Sequence, residues 1–205
     1  IKGFISMFKF DYRIEELSKK ALENAKENFY EWEFNNDMQY RIQKEAKKCG
    51  VDVYLTNPYP KGKGEIGLSK RASLANDYWM KKGKPQALFV SIHANAYKSY
   101  FNSVRGSETY VASNASSSSK KAARFIQDEV VRCFRSIDSG SRDRGVKVGD
   151  FTVIYRASMP SVLVEYGFYT NLKDLCVLRG YRDELVEDVE QLHRRLSYDA
   201  ISRRR

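Results

Sequence analysis

Residues 86–93 read QALFVSIH, followed by Ala94 and Asn95. The run is nearly continuous in apolar residues and then ends in polar ones. Such a pattern describes a strand buried on both faces, as in a parallel sheet covered by helices. A second stretch of this kind, SVLVEYG at 161–167, ends in a carboxylate. In open sheets of this class, ligands bind beyond the carboxyl ends of the strands. Two reactive side chains, His93 and Glu165, stand at those ends.

The flanking segments complete the pattern. Helical spacing marks 13–28, 35–49 (with Asn35 or Asn36 as N-cap and Gly50 as stop), 68–82, 120–135 and 183–200. Short β-rich runs mark VDVYLT at 51–56 and SETYVA at 107–112, and RDRGVKVGDFTVIY at 142–155 holds a turn and a strand. NPYPKGKGEIG and the Ser-rich SNASSSS at 113–119 read as loops. Strands separated by helices predict an α/β three-layer sandwich, with a mostly parallel central sheet flanked by helices.

A chain of 205 residues suits one globular domain. Its hydrophobic fraction of 42% supplies a core, and no apolar run approaches the ~18 residues of a membrane span. The opening IKGFISMFKF is too short and too interrupted by Lys to read as a signal peptide. The net charge of +10 predicts attraction to polyanions. It is spread over many segments, with no zinc-finger spacing and no basic run interleaved with aromatics, so nucleic acid is not the expected partner. Cys49, Cys133 and Cys176 are far apart and contain no CxxC pair, which excludes a cysteine metal site; Cys133 and Cys176 read as core residues.

Histidine is scarce. His193 lies in a charged terminal stretch, EQLHRRL, and reads as a surface residue. His93 at its strand end is either a structural histidine or a ligand. Glu165 ends an apolar run, where loss of water raises a carboxyl pKa toward the range of a general acid or base. An ion pair at the sheet rim is the other reading. Glu31 and Glu33 flank Trp32 just before a helix; they suit the helix dipole, or one of them turns inward as a metal ligand.

Together these segments resemble the zinc-dependent N-acetylmuramoyl-L-alanine amidases of type 3. The resemblance is carried by LFVSIHANA at 88–96 and MPSVLVEYGFYTN at 159–171, with RGSETYV at 105–111 and RGVKVGDFTVIY at 144–155 between them. Arg71 with ASLAND at 72–77 resembles the family's R-x-x-x-A-N helix, and YEWEFN at 30–35 the segment that gives its metal-binding Glu. The resemblance covers about Tyr30 to Tyr198. It leaves 1–29 as a segment of unclear match and 30–205 as the catalytic domain.

What the resemblance implies is specific. The chain is a peptidoglycan hydrolase that cuts the amide between N-acetylmuramic acid and L-alanine, with Zn2+ as cofactor. His93 and Glu31 are zinc ligands, with Glu33 the lesser choice for the carboxylate; Glu165 is the catalytic glutamate and Asn95 lines the substrate groove. Such an enzyme acts on the bacterial cell wall, as a phage lysin, a tail-associated enzyme or an autolysin. The family's first zinc ligand is a His after its opening strand, and no His precedes Glu31 here. That ligand lies outside this sequence, is replaced (by Asp11 or a residue of a partner chain), or is missing. In the last case the chain is a degenerate amidase fold that binds peptidoglycan or regulates a partner.

Overall fold

The computed structural model describes residues 29–58 and 66–186. The expected helix at 13–28, most of the expected helix at 183–200, Asp11 and His193 lie outside them.

Helix α1 runs Glu31–Lys48. It starts four residues earlier than the Asn caps predicted, because Phe34 belongs to the same buried stripe as Met38, one turn on. Glu31 and Glu33 occupy its first turn and Lys47 and Lys48 its last, each beside the favourable end of the dipole. Residues 51–56 do not form the expected strand. They lie along α1, whose side chains take their carbonyls: Gln43 Nε2 donates to Val53 O (3.3 Å) and Gln39 Nε2 to Asn57 O (2.9 Å).

Helix α2 is Leu68–Lys81, strand β1 Phe89–Asn95 and strand β2 Ser107–Val111. Helix α3, Ser117–Ile137, begins inside the Ser-rich run, because the Ser116 hydroxyl accepts from the Ser119 amide at 3.1 Å. Strand β3 is Asp143–Val148, and TVIY beyond it forms one helical turn, α4 (Thr152–Tyr155). Strand β4 is Ser161–Phe168 and helix α5 Leu172–Gly180. Helix α5 has no amphipathic signature, since Asp174 through Leu178 are all buried; Asn171 caps it by accepting from the Lys173 and Asp174 amides. Among the described residues, no helix is long and apolar enough to cross a membrane.

The sheet order is β1-β4-β2-β3. The β1/β4 and β2/β3 ladders are parallel and β2/β4 is antiparallel, which gives a mixed, mainly parallel sheet. Alternation along β4 divides the two faces. Val162, Val164 and Tyr166 pack with Phe34 and Met38 of α1, with α3, and with Val177 and Leu178 of α5. Leu163 packs on the other side with Val153 and Ile154 of α4, Phe89 and Tyr110. Asn76 of α2 binds the loop after α4, donating to Arg156 O (3.0 Å) and accepting from Ser158 N (2.8 Å). The result is the three-layer α/β sandwich. Cys133 and Cys176 are buried in it.

The approach to β2 is tight. Gly106 has φ +108°, and a Cβ there would lie 2.3 Å from the Arg142 carbonyl oxygen. A side chain at this position fails on both conformation and space. The contact fixes the start of β2 against the start of β3.

Candidate active site

Three side chains from adjacent strands share one row of the sheet. His93 on β1 is the register partner of Glu165 on β4, and Glu165 is the register partner of Glu108 on β2. Cross-strand partners face the same side, which is the side that Leu163 and Tyr110 share with α4 lower down. Among the described residues, the apolar cluster on that side takes in Leu163, Tyr110 and Phe89 and none of this row.

Glu31 enters from the first turn of α1. Its Oε1 lies 2.7 Å from His93 Nδ1 and accepts from Asn35 Nδ2 at 3.2 Å. Burial alone would raise the Glu31 carboxyl, but the His93 contact, Asn35 and the Ala94 backbone amide together hold it below the usual Glu range. The other ring nitrogen, His93 Nε2, meets Ser91 Oγ at 3.0 Å. Glu33, two residues on, is exposed.

Glu165 is pushed up to about 8, first by burial and then by the negative charges of Glu31 and Glu108. Its Oε2 is buried with no hydrogen-bond partner among the described residues. A buried oxygen left unpaired costs stability, so this carboxyl is held for something other than packing. Tyr169 stacks on Phe29 with ring centres 5.2 Å apart. Its phenol is raised by burial and by the charges of Glu31 and Glu165.

Asn95 closes β1. Its Nδ2 donates to Glu108 Oε1 at 2.9 Å, and its Oδ1 accepts from the Ala96 amide at 2.8 Å. Glu108 also accepts from Tyr110 Oη (2.8 Å), Arg144 Nε (2.6 Å) and Lys147 Nζ. Burial would raise this carboxyl, and the Lys147, Arg144 and Tyr110 bonds together bring it below the usual range. The Arg144 guanidinium lies over the Phe168 ring at 4.9 Å. The pattern of SETYV marks a strand and by itself gives Glu108 no role. The available signal was a carboxylate in mid-strand, which needs partners if it is buried.

His93 nitrogen and Glu31 oxygen are the donor types that zinc takes, and the unpaired Glu165 oxygen lies beside them. Among the described residues, no group of three or more His, Cys, Asp or Glu side chains is arranged to hold a metal ion. Among the described residues, His93 and Glu31 therefore supply two donors of the kinds zinc takes, one short of the three protein ligands of a catalytic site.

Residues 19–189 match the family model described as N-acetylmuramoyl-L-alanine amidase. The chain is 42% identical over 105 residues to the N-acetylmuramoyl-L-alanine amidase LytC of Bacillus subtilis, which covers 50% of this chain and 20% of that protein. It is 34% identical over 108 residues to the endolysin of Bacillus phage SPP1, covering 52% of this chain and 37% of that one. The chain thus spans well under two thirds of the length of these relatives. Among solved structures, it is similar to the N-acetylmuramoyl-L-alanine amidase of Clostridium difficile 630, with TM-score 0.69 and 29% identity over 85% of this chain and 87% of that one. The catalytic domain of CwlV from Bacillus (Paenibacillus) polymyxa gives TM-score 0.66 and 27% identity over 82% and 86%.

Proposed function

This chain belongs to the N-acetylmuramoyl-L-alanine amidase family, and on that premise we propose that it hydrolyses the amide joining the lactyl group of N-acetylmuramic acid to L-alanine in bacterial peptidoglycan. One observation carries the reading: His93 Nδ1 and Glu31 Oε1 approach to 2.7 Å beside a buried Glu165 oxygen that has no partner among the described residues.

His93 and Glu31 would hold zinc through these two atoms. Zinc, when bound, polarises a carbonyl and lowers the pKa of water. Ser91 holds the far side of the His93 ring and so fixes its orientation. Glu165 is the general base and acid: its Oε2 takes the proton of the attacking water and returns it to the leaving amine. A carboxyl with raised proton affinity suits that return. Asn95, held by Glu108, lines the groove on the amide substrate's path. Residues 30–205 are the catalytic domain in this reading. The chain acts on the bacterial cell wall, as a lysin or an autolysin.

The test is elemental analysis for zinc on the purified chain after loosely held metal is removed, together with release of amino-terminal alanine from purified wall. The expected result is about one zinc per chain, the number that a single catalytic site holds, with alanine release lost in Glu165→Gln. The presence of two metal donors, rather than three, among the described residues favours a second reading, a degenerate fold that binds the wall. Wall binding without zinc and without alanine release would establish that reading instead.

A further inference from the structure

Beyond Glu108, the edge of the sheet where β3 starts carries a second feature. A pocket at the start of β3 is lined by Arg135, Ser141, Arg142, Asp143, Arg144 and Lys147. Four cations face two carboxylates there, Asp143 and the adjoining Glu108. Asp143 is already engaged, accepting at Oδ1 from Gln127 Nε2 (2.7 Å) and the Gly145 amide (2.8 Å). Arg144 and Lys147 share the single carboxylate Glu108. Arg135 spends its Nε on the Ser141 carbonyl at 3.3 Å, which leaves the outer nitrogens of its fork toward solvent. Arg142 is exposed, and among the described residues its guanidinium has no hydrogen bond or ion pair. The backbone beneath it is fixed, since Arg142 O accepts from Ser107 N at 3.0 Å and abuts Gly106.

We propose that this pocket binds a free carboxylate of the peptide attached to the cleaved amide, with Arg142 as its unpartnered anchor and Arg144 and Lys147 joining it to the catalytic row. The proposal rests on the amide-hydrolase reading above and adds a charged substrate feature to it. Its placement follows from the sheet. Strands β4, β2 and β3 are neighbours, so Glu165 and the β3 cations stand two strand spacings apart, roughly 10 Å. An extended peptide rises about 3.3 Å per residue, so that distance reaches the second or third residue beyond the cut. A guanidinium fork matches a carboxylate with paired hydrogen bonds. The excess of positive charge is small and confined, which suits one or two carboxylates and not a long polyanion.

The test compares two soluble N-acetylmuramoyl tripeptides, one with free carboxylates and one with every carboxylate amidated. Equilibrium binding is measured in the Glu165→Gln background, so that the probe survives, with and without Arg142→Gln. Hydrolysis of both probes is followed separately in the parent chain. The acid form is expected to bind about tenfold tighter than the amide, the size of one charge-assisted hydrogen bond. Arg142→Gln should bring the two within about twofold of each other. Arg124→Gln, which removes an exposed cation elsewhere on α3, should leave the preference unchanged.

Equal binding of acid and amide by a chain that hydrolyses both would overturn the pocket assignment and leave the hydrolase reading intact. Acid preference that depends on Arg142 in a chain that hydrolyses neither would retain the pocket and reject the hydrolase. Displacement of the peptide by poly(glycerol phosphate) through Arg142, at lower concentration than the peptide itself, would assign the pocket to a phosphodiester polymer and reject the proposal.

Discussion

Replacing Asp174 with Ala is the substitution whose cost the structure defines most closely. The side chain is 0% exposed at the start of α5. Its Oδ2 accepts from the Gly106 amide at 2.7 Å and the Phe168 amide at 3.0 Å, and its Oδ1 from Arg105 Nε at 3.3 Å. One carboxylate therefore ties the start of β2 to the end of β4, three residues past Glu165. Alanine leaves two buried N–H groups without an acceptor, at about 1–3 kcal/mol each, so the loss is about 2–6 kcal/mol with a midpoint near 4. That is a large share of the 5–15 kcal/mol typical of folded domains. For a chain of this size the midpoint corresponds to a fall in Tm of roughly 12 °C. Urea unfolding of the metal-free chain, followed by circular dichroism, gives the free energy, and a thermal scan gives Tm. Asp174→Asn keeps a carbonyl oxygen that can accept from both the Gly106 and Phe168 amides, so it should lose distinctly less than Asp174→Ala, while Arg105 retains its pairing with Asp138. A loss below about 1 kcal/mol for Asp174→Ala would refute the premise that these amides depend on the carboxylate.

Further expectations concern the row of His93, Glu165 and Glu108 and the core. Glu165→Gln should lower hydrolysis by about 10²–10⁴ while leaving the far-ultraviolet spectrum unchanged, the usual scale for a general acid–base group. In the metal-free chain, the Glu165 carboxyl is raised in the folded state from its ordinary 4.5 to about 8. The folded state then binds the extra proton between those values, so Glu165 makes stability fall as pH rises from about 4.5 to about 8. Glu165→Gln should remove that component from the Tm-versus-pH curve. Glu108 has the opposite sign: its folded carboxyl lies below 4.5, so its contribution is present above that pH and is lost as pH falls through the folded value. Acid titration of stability should show this loss in the parent chain and not in Glu108→Gln. Phe34→Ala empties a 0% exposed site beside Tyr166 and should cost about 3–5 kcal/mol in urea unfolding.

Particular residues show how far a linear reading reaches. The apolar runs ending at His93 and Glu165 are strands because their periodicity is local, and their polar ends lie where such sheets hold ligands. Residues 51–56 misled, since β-branched composition describes a strand's surface and not its partner; here Gln39 and Gln43 of α1 take the carbonyls. Helix α5 is not legible in the sequence, because it is buried nearly all round and carries no 3.6-residue stripe.

The sequence by itself determined the layered α/β architecture, the family resemblance, and the candidacy of His93, Glu31, Glu165 and Asn95. Those depend on short-range pattern and motif order. Only the tertiary structure decided that Glu31, and not Glu33, meets His93 across 62 residues of chain, that Glu108 belongs to the same row, and that four cations gather at β3. Neighbours across a sheet are set by strand order and register, and these depend on how the whole core packs. No spacing along the chain encodes them.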